Sequence, residues 1–229
     1  MTEYAYEPVP GLPEQLPPGE SVLWQGAPRW QSLARYAFHT RAVALYFLAL
    51  VLLNFMWKLT DGEPLRAAVA GAVWLTILAT ITIALLVLLA WAMSRSTLYT
   101  MTNRRLVLRF GVAFPMAINL PFARITDAGL RRYADGSGDI PLTMEGPVRA
   151  GYIVLWPHAQ PWNYWPPRPM LRAVPDAAEV ARIFAGALLA ARTDLAQSVA
   201  AQGPADAPPA IVSTDPATVI LPIAGTTLH

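Results

Sequence analysis

Two stretches of this chain carry no charge, and between them they decide what it can fold into. Residues 42–57, AVALYFLALVLLNFMW, lie between Arg41 and Lys58, and residues 67–94 lie between Arg66 and Arg95. At ~1.5 Å per residue the second run crosses a ~30 Å hydrocarbon layer with room for tilt. The first falls slightly short, and Arg41 and Lys58 make up the difference by snorkelling. Trp57 and Trp91 lie near the ends of the runs, where aromatic belts form. In the connector KLTDGEPLR, Asp61-Gly62 supplies a turn and Pro64 begins the next helix, so the runs read as a transmembrane helical hairpin over 42–94.

Composition agrees. Of 229 residues 55% are apolar and 14% charged, well below the quarter that soluble domains usually carry. A formal charge of +2 gives a nucleic acid little to hold, and the absence of cysteine rules out disulfides and thiolate sites. Arg29, Arg35 and Arg41 precede the first run and Arg95, Arg104, Arg105 and Arg109 follow the second, against Lys58 and Arg66 between them. That bias predicts both termini on the cytoplasmic side.

Ahead of the hairpin, residues 1–41 read as a proline-rich arm and an interfacial helix. Glu3 and Glu7 stand where a secretory signal would be basic, so no cleavable signal is expected. Six prolines from Pro8 to Pro28 keep the arm extended. From Pro28 onward Trp30, Leu33, Ala34, Ala37 and Phe38 share a helical face. Two readings are open: a helix lying on anionic lipid, or the first turns of the span that follows.

Beyond Arg95 the period changes. Thr97–Thr100 reads as a strand, MTNRR as a turn, and Leu106 and Leu108 alternate with Arg105, Val107 and Arg109 until Gly111. Met116, Ile118 and Leu120 repeat the pattern. A hairpin is expected around Asp135–Asp139, with Ile140, Leu142 and Met144 on one face, and YIVLW at 152–156 reads as a buried strand. Asp176 and Glu179 form a capping-box pattern before a helix whose stripe is Val180, Ile183, Phe184, Ala187, Leu188 and Ala191. Residues 95–195 are therefore expected to form a cytoplasmic antiparallel domain, rolled or packed on itself and covered by that helix. Residues 196–229, rich in Ala and Pro, read as a disordered tail.

Little of this chain looks catalytic. There is no metal-ligand cluster, phosphate loop or nucleophile elbow, and Asp135 and Asp139 suit turn chemistry. Neither apolar run contains a histidine for a pigment, which leaves only His39 at the interface as a ligand for one. The sharpest cluster is the loop carrying Trp156, His158, Trp162, Tyr164 and Trp165, the candidate partner-binding residues, because Trp and Tyr dominate interfaces. Packing on the sheet and dipping into headgroups are the other readings. Asn54, inside the first run, is a candidate for bonding a partner helix or the second run. Arg35, Arg41, Arg95, Arg104 and Arg105 are candidate lipid contacts, with ordinary solvation the alternative.

Three segments carry a family resemblance: EPVPGLPEQLPPGESVLWQGAPRW, the pair YTMTNRRLVLRFG, and YIVLWPHAQPW followed by PMLRAVPDAAEVARI. Together they resemble the PuhB family of photosynthetic complex assembly proteins of purple phototrophic bacteria, from Tyr6 to Arg192. GESVLWQG and YTMTNRRLVLRFG also resemble a wider group of bacterial membrane proteins with a pleckstrin-homology-like domain. The resemblance implies an α+β membrane protein: a two-helix transmembrane hairpin plus a β-barrel or sandwich of pleckstrin-homology-like type closed by the 176–192 helix. It also implies a non-enzymatic factor without a cofactor in the bacterial inner (intracytoplasmic) membrane. Its expected partners are reaction-centre and light-harvesting 1 subunits. A tethering or homo-oligomerising module without a photosynthetic role is the alternative.

Overall fold

A computed structural model describes residues 15–112, 115–146, 148 and 150–201. In chain order the elements are β1 (Val22–Gly26), α1 (Trp30–Ser32) running into a π-helical turn (Leu33–Ala37), α2 (Thr40–Thr60), α3 (Leu65–Ser96), β2 (Leu98–Thr102), β3 (Arg105–Phe110), β4 (Met116–Pro121), β5 (Ile125–Ala128), β6 (Arg131–Arg132), β7 (Gly138–Met144), α4 (Tyr152–Leu155), β8 (Met170–Val174) and α5 (Ala177–Ala201).

The strands form two antiparallel sheets. One has the order β1-β2-β3-β4; in the other, β7 pairs with β5 and β6 along one edge and with β8 along the other. Alternation in β2 and β3 turns Tyr99, Met101, Leu106 and Leu108 inward, where they meet Ile140, Leu142 and Leu171 of the second sheet in a common core. Burying one such aliphatic side chain contributes about 1.5–3 kcal/mol. The α5 stripe completes that core: Val180, Phe184, Ala187 and Leu188 are buried, and the Phe184 ring meets Phe122 edge-on at 5.5 Å. No ladder joins β1 or β4 to the second sheet among the described residues, so this is a sandwich and the barrel is not closed by pairing. At the start of α5, Glu179 pairs with Arg182 instead of reaching back to complete the capping box.

Two segments differ from expectation. YIVLW forms the short helix α4 in place of a strand, with only Leu155 fully buried. Residues 22–26, counted with the arm, are instead the edge strand β1, in which Gln25 pairs with Thr100 across 75 positions. The hairpin is thus inserted into the domain, between its first and second strands. Just before β1, Glu20 accepts bonds from Arg105 Nε and Nη2 at 2.8 and 3.0 Å and from the Thr102 hydroxyl at 2.8 Å. The first residues of the expected tail are helical instead, because α5 continues to Ala201; the arm before residue 15 and the tail after residue 201 lie outside the described residues.

Both α2 and α3 are long and apolar enough to cross a membrane. They pack side by side, and their outer faces leave Leu45, Leu53, Trp57, Trp74 and Leu85 bare. Gly71 permits the close approach, since a Cβ there would fall 2.7 Å from Asn54 Oδ1. α3 also outruns its partner: 32 residues make it about 48 Å long. Its last turns run past α2 and join the domain, where Ala90, Leu86, Val87 and Met93 meet Leu33, Ala34, Phe38 and Ala173 in a second small core.

The segment 28–38 is an elbow held against the protein by buried Leu33, Ala34 and Phe38, with Trp30 exposed, and it is not a straight continuation of α2. Ser94 Oγ donates to the Pro28 carbonyl at 2.6 Å, Arg29 N–H to Ala173 O at 2.8 Å, and Ser32 Oγ to Asp135 Oδ2 at 2.7 Å. Tyr36 stacks flat on Tyr133 at 3.7 Å. His39, at φ 52, then breaks the helical path before α2 begins.

Candidate functional site

The loop from α4 to β8 is held by its neck. Ala159 bridges Pro169, Gln160 N–H donates to Arg168 O at 2.9 Å, and Met170 N–H donates to His158 O at 2.7 Å. Asn163 Nδ2 bonds Gln160 Oε1 at 3.2 Å and bridges neck and tip. The tip turns through Trp162, which has a φ of 68. Holding these bonds in place fixes the direction in which the indoles point.

The neck and tip separate residues that the sequence had grouped together. Trp162 is 84% exposed and Trp165 87%, while Tyr164 is half covered by the Tyr152 ring at 4.9 Å. Trp156 leans edge-on against Phe38 at 5.5 Å, beside the first turn of α2. Ile153 of α4 adds an aliphatic side chain that is 89% exposed. Indoles bury about 150–250 Å² each on docking, so Trp162 and Trp165 together offer a gross ~7.5–12.5 kcal/mol at ~25 cal/mol/Å² before the entropic cost of association.

His158 belongs to the core, not to this exposed group. Its ring is fully buried, with Nδ1 2.8 Å from Tyr99 Oη and Nε2 3.4 Å from Thr97 Oγ1. The Tyr99 oxygen also accepts the Arg172 backbone N–H at 3.1 Å, so donating its own proton to Nδ1 satisfies both groups. Burial, and secondly the Arg172 charge, lowers the histidine pKa to about 3. The ring is neutral at any physiological pH, and burial likewise pushes the Tyr99 phenol above its ordinary range.

The other sequence candidates fall into distinct places. Asn54 Oδ1 is buried between the two helices beside Gly71, with no hydrogen-bond partner among the described residues. The hydroxyls of Thr76, Thr80 and Thr82 each bond a carbonyl four residues back in α3, at 2.8 Å. Arg35, Arg41 and Arg95 flank the helix ends, where Arg35 lies over Tyr36 and Arg95 over Trp91. Arg104 and Arg105 sit at the β2–β3 turn, one strand of five residues, about 16 Å, beyond α3. Arg105 is ion-paired with Glu20.

Beneath the loop the two hairpin aspartates join a polar cluster with Tyr133 and Ser32. Asp139, on β7, accepts the Tyr133 hydroxyl at 2.5 Å and the Ala173 N–H at 2.9 Å. Burial first, then that bond to Asp139, drives the Tyr133 phenol well above its ordinary range. Asp135, at the hairpin tip, accepts from Ser137 N and Oγ and from Ser32; these bonds outweigh partial burial and hold its carboxyl below the usual range. Both aspartates therefore do structural work.

This architecture defines a two-sheet domain with a C-terminal helix and an apolar helical hairpin inserted after its first strand. The bacterial PH domain family matches residues 42–188. An uncharacterized 23.7 kDa protein in the puhA 5' region of Rhodobacter capsulatus is 36% identical over 190 residues, 81% of this chain and 87% of that protein. No solved structure matches. The chain belongs to the bacterial PH domain family, in the PuhB group that its motifs resemble. The family match begins at the hairpin, and the structure adds β1 and the elbow to the same unit.

Proposed function

We propose that this protein is a non-enzymatic assembly factor for the photosynthetic reaction centre and, secondarily, for the light-harvesting 1 complex. The observation that carries the reading is the pair of bare indoles, Trp162 and Trp165, on a loop whose neck is fixed to a domain that is itself locked to the hairpin. A client subunit docks on that tip while the bare faces of α2 and α3 lie in the inner membrane beside its helices. Both termini then face the cytoplasm, in keeping with the arginines that flank the helix ends. The location of the R. capsulatus relative in the puhA 5' region supports the photosynthetic context.

Deleting the gene in a phototrophic host tests the reading. Loss of reaction centre with pigment synthesis intact is expected, and normal complex levels would contradict it. Normal complexes together with self-association of the purified protein would indicate a tethering or oligomerising module instead.

A further inference from the structure

A groove of about 440 Å³ runs between α5 and the β2–β3 turn, away from the aromatic loop. Pro121, Ala123, Ala191 and Leu195 are its apolar lining, and Arg104 and Asp194 are its charged residues. Leu195 is 45% exposed. The exposed Arg104 guanidinium pairs with no carboxylate among the described residues.

The N-terminal segment joins the domain beside this groove. Gly19 O accepts from Asn103 Nδ2 at 3.0 Å, Asn103 itself lines the groove, and a Cβ on Gly19 would lie 3.6 Å from Arg104 Nη2. A turn over Pro17–Glu20, closed by the Glu20 N–H on Pro17 O at 3.0 Å, reverses the chain, and Leu16 just before it is half-buried.

The residues ahead of that turn have the pattern such a groove takes. Pro8, Pro10 and Pro13 favour a polyproline II path, whose three-residue period puts Pro10, Pro13 and Leu16 on one face and Val9 and Leu12 on the next. At ~3.1 Å per residue, Pro10 to Leu16 spans about 19 Å, enough to cover the ~11 Å that α5 rises from Ala191 to Ser198. Charge agrees: residues 1–14 carry Glu3, Glu7 and Glu14 and no Lys or Arg, and Glu14 falls on the third face. Prolines also lower the entropy lost when such a segment docks.

We propose that residues 8–14 dock in this groove, with Pro10, Leu12 and Pro13 against its apolar lining and Glu14 beside Arg104. The arm then straps the C-terminal helix to the β2–β3 turn.

The chain has no cysteine, so disulfide trapping in the full chain, diluted in an uncharged detergent, tests the strap without background. Leu12→Cys with Leu195→Cys is expected to close an intramolecular disulfide about tenfold faster, or more, than Leu12→Cys with Leu189→Cys. Leu189 is 64% exposed but lies about 120° round the helix from Leu195. Adding Arg104→Glu to the first pair should slow closure about threefold, and Glu14→Arg on top of it should restore the rate. Maleimide labelling of Leu195→Cys alone gives a readout that needs no disulfide geometry: Leu12→Asp should speed it about threefold or more at unchanged Tm. Equal closure of the two cysteine pairs, or labelling that Leu12→Asp leaves unchanged, would overturn the proposal. Disulfide-linked dimers in place of the closed monomer would overturn the intramolecular assignment and give the groove to the arm of a second copy.

Discussion

His158 and Trp162 are four positions apart in one aromatic loop and meet opposite environments. The histidine ring is enclosed by Tyr99, Thr97 and Phe110, while the indole is almost wholly in solvent. The neck spends its aromatic surface on folding; the tip keeps its surface for something else. If that division is real, changes at the neck should cost stability and changes at the tip should cost binding alone.

The largest stability effect is expected at the neck. His158→Ala removes a buried ring and strips hydrogen-bond partners from Tyr99 and Thr97, for a loss of about 3 kcal/mol and a fall in Tm of about 6–12 °C in detergent. An unchanged melting curve would break the division at once.

Acid should act through the same ring. Its folded pKa of about 3 lies below the ordinary 6.5, so the unfolded chain binds the proton first. The stabilisation is complete above pH 6.5 and is lost as pH falls toward 3. Between pH 7.5 and pH 5 it should decline by about 2 kcal/mol, and that component should be missing from His158→Ala.

A smaller effect is expected where the N-terminal segment meets the domain. Glu20→Gln leaves Arg105 without its carboxylate; because Arg105 is partly exposed, solvent offsets much of the loss, leaving about 1 kcal/mol. Faster hydrogen exchange in β1 than in β3 would register it. The smallest stability effect belongs to the tip, where Trp162→Ala with Trp165→Ala should change folding free energy by no more than about 0.5 kcal/mol.

The sequence made visible those elements whose pattern is local. The charge-free runs became α2 and α3, Leu106 and Leu108 pointed inward as their alternation required, and the stripe Val180, Phe184, Ala187 and Leu188 packed as a helix face. What escaped depends on contacts made far along the chain. β1 finds its partner strand across the inserted hairpin, so nothing beside VLWQG marks it as sheet. YIVLW is a short apolar run, and periodicity alone cannot separate a strand from a helical turn at that length. The stripe from residue 30 to 38 left two readings open because Ala90 of α3 and Ala173 of β8, which cover Leu33, Ala34 and Phe38, are remote in sequence.

The candidate site was readable as composition but not as geometry. Five residues of one loop formed a single group in the sequence; folding sent His158 inward to Tyr99, left Trp156 against Phe38, and kept Trp162 and Trp165 bare. Arg105 looked like a surface cation until Glu20, 85 positions earlier, was brought against it.

The most direct measurement is affinity capture of the tagged full chain from mildly solubilised phototrophic membranes, with and without Trp162→Ala and Trp165→Ala, followed by mass spectrometry. The account predicts that reaction-centre subunits come down with the native chain and are reduced at least tenfold with the double variant, while both proteins fractionate with membranes in equal amount. Equal recovery of those subunits with both chains would contradict the assignment of the aromatic tip as the docking surface.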